Sequence, residues 1–393
     1  MYSAALATFV SVAAFAPAAA TAADTTAANT TAVEPSAAGA ARSKTTVHVT
    51  QAPFGITSDG KSVALFTIAN SHGLVVKVIE YGAYVISVQT PDRQGKIGEI
   101  TLGFKTLDEY LKHKAHFGGT IGRFGNRIAK GKFTLDGKTY QLATNNGPNH
   151  LHGGPTGFDF RVWKGEPYES AGAAGVRFSY RSADGEEGYP GALDVTVTYS
   201  LTDDNELKMD YAATTDKPTV INLTNHCYWN LAGRGDVLGH QLMIAADRYL
   251  PVDATAIPLG ALAPVAGTVM DFTRSHAVGD HIAETYNGPA APKGYDHCYV
   301  LRGQDGKLPL AARVKDPESG RVMEVLTTEP GIQFYTGNFL DGDPINGGHT
   351  QHAALCLEAE HYPDSPNQPT YPSTVLRPGE QYRQLTVHKF SVE

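Results

Sequence analysis

The chain of 393 residues is poor in cysteine, in tryptophan and in positive charge. Its three cysteines, Cys227, Cys298 and Cys356, cannot build a disulfide framework, and each sits in an apolar or aromatic run. Lys plus Arg number 32 against 40 Asp plus Glu, a formal charge of −8. Such a chain lacks the basic stripe that displaces counterions, which argues against general nucleic-acid binding. No run of about 18 apolar residues lies in the body of the chain, so no internal membrane span is expected. The GxSxG elbow, the Walker loop, the GxGxxG fingerprint and the HExxH motif are all missing. Nucleophilic-serine hydrolysis, nucleotide use and zincin chemistry are therefore unsupported. Hydrophobic residues still make up 41%, enough to build a sizeable core.

The first 44 residues differ from the rest. An apolar, alanine-rich run from Ala4 to Ala20 ends at Ala20-Thr21-Ala22, an A-x-A-like cleavage site. Residues 1–22 thus read as a signal peptide, although no Lys or Arg precedes the run, and 23–44 as a low-complexity Ala/Thr spacer. Export to a periplasm or to the medium is the expectation, with a leader carrying no address, and a cytoplasmic protein, as the alternative.

From residue 45 onward the dominant period is two. Leu193, Val195, Val197, Tyr199 and Leu201 alternate with Asp194, Thr196, Thr198 and Ser200, the pattern of a half-buried strand. Val176, Phe178 and Tyr180 alternate in the same way. Asp136-Gly137 between two short alternating runs predicts a two-residue hairpin. The segments Glu324 to Thr336 and Tyr382 to Val392 each read as a strand. Helical signal is sparse: Thr106 with Glu109 makes a capping box for one short helix through Leu111. The expected architecture is all-β, a single domain over 45–393 with antiparallel sheets packed as a large β-sandwich.

Five segments are too polar for strand interiors. Gly122 to Ile128 (GRFGNRI) presents Asn126 and Arg127, where an arginine can offer a planar fork to hydroxyl oxygens or simply brace a loop. Asn145 to Gly154 holds His150 and His152, which share a face if the segment is extended. No third ligand follows at a recognisable spacing, so a metal is not expected. Asn222 to Gly233 (NLTNHCYWNLAG) sets His226 among amides and aromatic rings, the mixture a sugar needs. A core histidine beside a buried tryptophan is the plainer reading. Gly294 to Val300 carries Asp296. Finally, Glu358 follows Leu355-Cys356-Leu357, and a carboxylate at the end of an apolar strand needs a partner or a task. Glu360 lies two residues on and can share its face.

Taken together, GRFGNRI, NHLHGG, NLTNHCYWNLAG, GYDH, EPGIQFYTGNFLDG and CLE followed by HYPDSPNQP resemble, in order, the aldose 1-epimerase (galactose mutarotase) family. The resemblance covers about residues 45–393 and implies the large supersandwich form of the β-sandwich, with a sugar cleft on one sheet. It implies Glu358 as catalytic base and His226 as catalytic acid. Asn126, Arg127, His152, Asp296 and Gln333 match residues that hold the sugar. Family members often carry Thr-Gln after the CLE glutamate, where this chain has Ala359-Glu360, an acid able to raise the pKa of Glu358. The implied reaction interconverts α and β anomers of free aldohexoses such as galactose and glucose and needs no cofactor. The expected partner is a monosaccharide, and the chain is a monomer or a homodimer. A glycoside hydrolase using Glu358 and Asp296, a phosphosugar epimerase and a sugar-binding module without turnover are the rival readings.

Overall fold

Alternation of apolar and polar residues makes antiparallel strands nearly all of the regular structure in the described chain, joined by turns and loops. The computed structural model describes residues 47–113, 115–285, 292–303 and 308–393, which belong to one compact unit. The leader and spacer expected over residues 1–44 lie outside the described residues. None of the helices described is long and apolar enough to cross a membrane.

Three sheets dominate. An N-terminal meander pairs His48–Ile56, Ser62–Ala69, Val75–Ile79, Val85–Pro91 and Ile97–Glu99 in chain order. A nine-stranded sheet runs from Lys164–Ser170 through Ala173–Ser182, Leu193–Thr202 and Glu206–Thr215 to the closing strand Tyr382–Val392. It continues through Arg321–Thr327, Leu310–Lys315, Gln241–Ile244 and His276–Ala277. A further five-stranded sheet has the order Ala263–Pro264, Ala246–Tyr249, Asp296–Leu301, Gly331–Tyr335, Cys356–Glu360. One continuous apolar core joins all three, with Val76 and Val78 from the first, Phe178 and Val197 from the second, and Ile332, Phe334 and Leu357 from the third. This is the layered β-sandwich that the period-two pattern predicts.

Local signals act as their chemistry dictates. Asp136 and Gly137 both take positive φ, 50° and 78°, and join Lys132–Leu135 to Lys138–Gln141. Thr106 and Glu109 close a reciprocal capping box on the helix Leu107–Lys112. One expectation fails. The run Glu324 to Thr336 is two strands in two sheets, Arg321–Thr327 and Gly331–Tyr335. Pro330 lacks the N–H a central strand needs, and its carbonyl accepts instead from the Leu301 N–H at 3.0 Å. The chain thereby changes sheet just before the residues that line the site.

Candidate active site

The strand Cys356–Glu360 alternates between two environments. Leu357 packs into the main core, while Cys356, Glu358 and Glu360 point the other way. Glu358 pairs across the ladder with Gln333, and Gln333 pairs in turn with Cys298, two residues from Asp296. Gln333 Nε2 donates to Asp296 Oδ1 at 2.7 Å. These three side chains form the floor of a pocket of about 610 Å³, a volume ordinary for a small-molecule site. Its walls include Asn126, Arg127, His152 and His226. All seven residues singled out from the sequence therefore line one pocket, although they span more than 230 positions.

The walls are braced from behind. Asn222 exchanges hydrogen bonds with the His361 backbone and donates to the Gly125 carbonyl, stapling the GRFGNRI loop to the end of the Glu358 strand. Asp364 clamps the next residues: its N–H donates to the Arg127 carbonyl at 2.8 Å and its Oδ1 accepts from the Ala129 N–H at 2.9 Å. Arg123 is the bracing arginine of that segment, buried and bound to the carbonyls of Pro190 and Gly191 at 2.8 Å each. Arg127 faces the pocket, with Nε on Asn146 Oδ1 at 3.1 Å.

Two expectations from the sequence are overturned. His150 and His152 do not share a face, because His152 adopts φ 52° and breaks the extended geometry. His150 turns to Tyr189 Oη at 2.7 Å and the Ala143 carbonyl, away from the pocket. The amides and tryptophan around His226 do not line the pocket either. Asn225 donates to the Gly118 carbonyl and Trp229 lies in the core, so of that group only His226 and Tyr228 reach the pocket.

Hydrogen bonding fixes what the pocket histidines can do. The Asn126 N–H donates to His152 Nδ1 at 3.1 Å. A neutral ring accepting at Nδ1 carries its proton on Nε2, and burial keeps the ring neutral, well below the ordinary imidazole range, with His116 and His226 adding to the effect. His152 therefore presents an N–H donor to the pocket. His152, His226 and Glu358 do place ligand-capable atoms within 4.8 Å of one another. Holding a metal on His152 Nε2 requires the opposite tautomer and breaks the bond from Asn126.

His226 Nε2 lies 3.6 Å from Glu358 Oε2, both side chains being almost completely buried. Glu358 Oε2 and Gln333 Oε1 have no hydrogen-bond partner among the described residues, and buried atoms left so need an explanation. Burial, then the neighbouring Glu360 and Asp296, push the Glu358 carboxyl well above its usual range, while Arg127 opposes the shift. Burial, with His116 second, pushes His226 down to about 3. Both shifts disfavour charge, so across the 3.6 Å contact the uncharged forms, an acid and an imidazole with one titrating proton between them, are the favoured ones. Glu360 is raised too, chiefly by burial, while Asn126 Nδ2 donates to its Oε1 at 2.9 Å.

Residues 64–389 match the model of the family described as Aldose 1-epimerase. The chain belongs to the aldose 1-epimerase family. Galactose mutarotase of Mus musculus is 46% identical over 352 residues, covering 88% of this chain and 99% of the relative. Aldose 1-epimerase of Escherichia coli K12 is 41% identical over 340 residues, covering 85% and 97%. Among solved structures, galactose 1-epimerase from Lactobacillus acidophilus superposes with a TM-score of 0.78 at 29% identity, covering 88% of this chain and 99% of that one. An aldose epimerase homologue from C. elegans gives 0.75 at 33% identity, covering 82% and 97%. In this member of the aldose 1-epimerase family, sequence reasoning also missed a pocket residue, His116. It lies in a short loop after the helix Leu107–Lys112, and nothing in that loop marks it in one dimension.

Proposed function

We propose that the protein is an aldose 1-epimerase that interconverts the α and β anomers of free aldohexoses, galactose and glucose among them. The observation that carries this reading is the contact of Glu358 with His226, 3.6 Å apart, in the buried wall of the pocket. Anomer exchange breaks the C1–O5 bond of the pyranose. A proton leaves the C1 hydroxyl, C1=O forms, and the electron pair of the broken bond goes to O5, which takes up a proton. Rotation about C1–C2 presents the other carbonyl face, and the same steps run in reverse. Nothing is oxidised or transferred.

One base and one acid suffice, and a pair holding a single proton supplies both. Glu358 takes the proton from O1 and His226 delivers one to O5. In the free protein burial favours the shared proton on Glu358. A seated sugar donates hydroxyls to that carboxylate and favours its ionised form, so the proton passes to His226 before ring opening. The His152 N–H is the donor for the charge that develops on the ring oxygen. Arg127, Asp296, Gln333 and Asn126 hold the remaining oxygens. General acid–base groups contribute typically 10²–10⁴-fold each. Polarimetry on freshly dissolved α-D-galactose and α-D-glucose, without added cofactor, tests the reading. The expected result is rapid approach to equilibrium rotation, with methyl α-galactoside untouched for want of a free C1 hydroxyl. Unchanged rates on both sugars, or cleavage of the glycoside, contradict it.

We further propose that residues 1–22 direct export, on the strength of the Ala4–Ala20 run and the Ala20-Thr21-Ala22 site. Protein recovered from producing cells is expected to begin after Ala22. An intact leader on protein in the cytosolic fraction contradicts export.

A further inference from the structure

Beside His226, a second acid–imidazole pair borders the pocket, His116 lining it and Asp159 buried behind. His116 Nδ1 lies 2.6 Å from Asp159 Oδ2, and the Asp159 carboxyl is wholly buried. Its other oxygen, Oδ1, has no hydrogen-bond partner among the described residues, and Tyr84 Oη reaches Oδ2 only at 3.4 Å. Burying a carboxylate so sparsely bonded costs several kcal/mol, about what an unpaired polar group loses on leaving water. His116 also sits at φ 55°, as Asn126 and His152 sit at 61° and 52°. Non-glycine residues in the left-handed region cluster where a site imposes geometry.

The ring stacks on His226 with centroids 5.8 Å apart and meets His152 edge-on at 5.1 Å. Backbone bonds Gly118 N–H to His226 carbonyl and His226 N–H to Gly119 carbonyl tie its loop to the segment just after the strand Thr224–Asn225. The side chain is 21% exposed and lines the pocket. A carboxylate only accepts, so Nδ1 carries a hydrogen and Nε2 is the atom left for a ligand. Neutral, Nε2 accepts a hydrogen bond; protonated, it donates one. A sugar hydroxyl answers either state because it does both.

We propose that His116, oriented by Asp159, is a further sugar-contacting residue whose Nε2 engages one hydroxyl of the bound aldose beside His152 and His226. The proposal rests on the reading of the pocket as an aldose site. Asp159 is a positioning residue that acts through the imidazole, in the manner of the acid that orients a catalytic histidine.

The test is a set of kcat/KM ratios for D-galactose against its 2-, 3-, 4- and 6-deoxy analogues. The native protein is expected to lose about tenfold on the analogue lacking the gripped hydroxyl, the weight of one hydrogen bond. In His116→Phe that one ratio falls toward unity and the other three stay put; His116→Gln, which keeps a polar end, restores part of it. Asp159→Ala lowers the same ratio and Asp159→Asn, which still accepts from Nδ1–H, restores it. Four ratios equal in the native protein and in a folded His116→Phe overturn the proposal. If His116→Phe does not fold, His116→Ala takes its place, and four ratios equal to the native ones in that variant overturn the proposal as well. A native protein inactive on galactose and glucose instead defeats the aldose reading itself.

Discussion

Glu360 shows how one side chain sets the working range of another. It lies on the same face of the strand as Glu358, buried, with Asn126 as its donor. Two buried carboxyls this close cannot both ionise cheaply, and Glu360 is the second cause, after burial, of the raised Glu358 pKa. Activity needs a single proton on the Glu358–His226 pair. It is lost on the alkaline side when that proton leaves, and on the acid side when His226, depressed to about 3, gains a second. The acid limb of kcat/KM is therefore expected well below the ordinary imidazole value of about 6.5. Glu360→Gln keeps an oxygen for Asn126 and removes the competing acid. The Glu358 pKa then falls, so the alkaline limb moves to lower pH while the maximum rate is kept. A pH–rate profile of this variant that superposes on the native one contradicts the coupling.

At the scale of elements, close backbone approaches hold the pocket loops. Gly153 follows His152 at φ 80°, and a Cβ there would lie 1.9 Å from the Gly122 carbonyl oxygen. Gly137, in the Asp136-Gly137 hairpin, has a similar φ of 78° but open space around it. Gly137→Ala is expected to cost only the left-handed penalty of about 1–2 kcal/mol and to leave turnover intact. Gly153→Ala has to push the GRFGNRI loop aside as well, so it loses more stability and most of its kcat/KM. Equal melting shifts and equal activities in the two variants contradict this.

The same scale separates what the sequence reveals from what it conceals. Period-two runs such as Leu193 to Leu201, the Asp136-Gly137 turn and the Thr106–Glu109 box are local, so their physics is complete within a few residues. Glu358 stood out because a carboxylate in an apolar strand is costly wherever the strand lies. The break at Pro330 was legible too, had the missing N–H been weighed against the run of strand formers around it. The divergence of His150 from His152 depends on a single left-handed residue, and no neighbour announces it. The His116–Asp159 pair spans 43 positions. Neither residue sits in a polar motif of its own, so only the folded chain brings them to one wall.

For the whole molecule, the closing strand Tyr382–Val392 joins the sheet halves. It pairs with Glu206–Thr215 on one side and Arg321–Thr327 on the other, so the last residues complete a sheet begun at Lys164. The pocket is equally non-local, with Asn126 and Arg127 from the first third of the chain and Glu358 from its last tenth. Such a site assembles only when the entire sandwich has formed, which makes binding of a sugar by an inactive variant a sensitive report of its integrity. The decisive measurement is therefore paired: polarimetric turnover and calorimetric affinity for galactose, on the native protein and on Glu358→Gln. The amide keeps the shape of the side chain and cannot take a proton from O1. The account predicts affinity within about threefold of native and turnover lower by about 10²–10⁴-fold, the range of a lost general base. Near-native turnover by Glu358→Gln would contradict it and move the search for the base to Glu360.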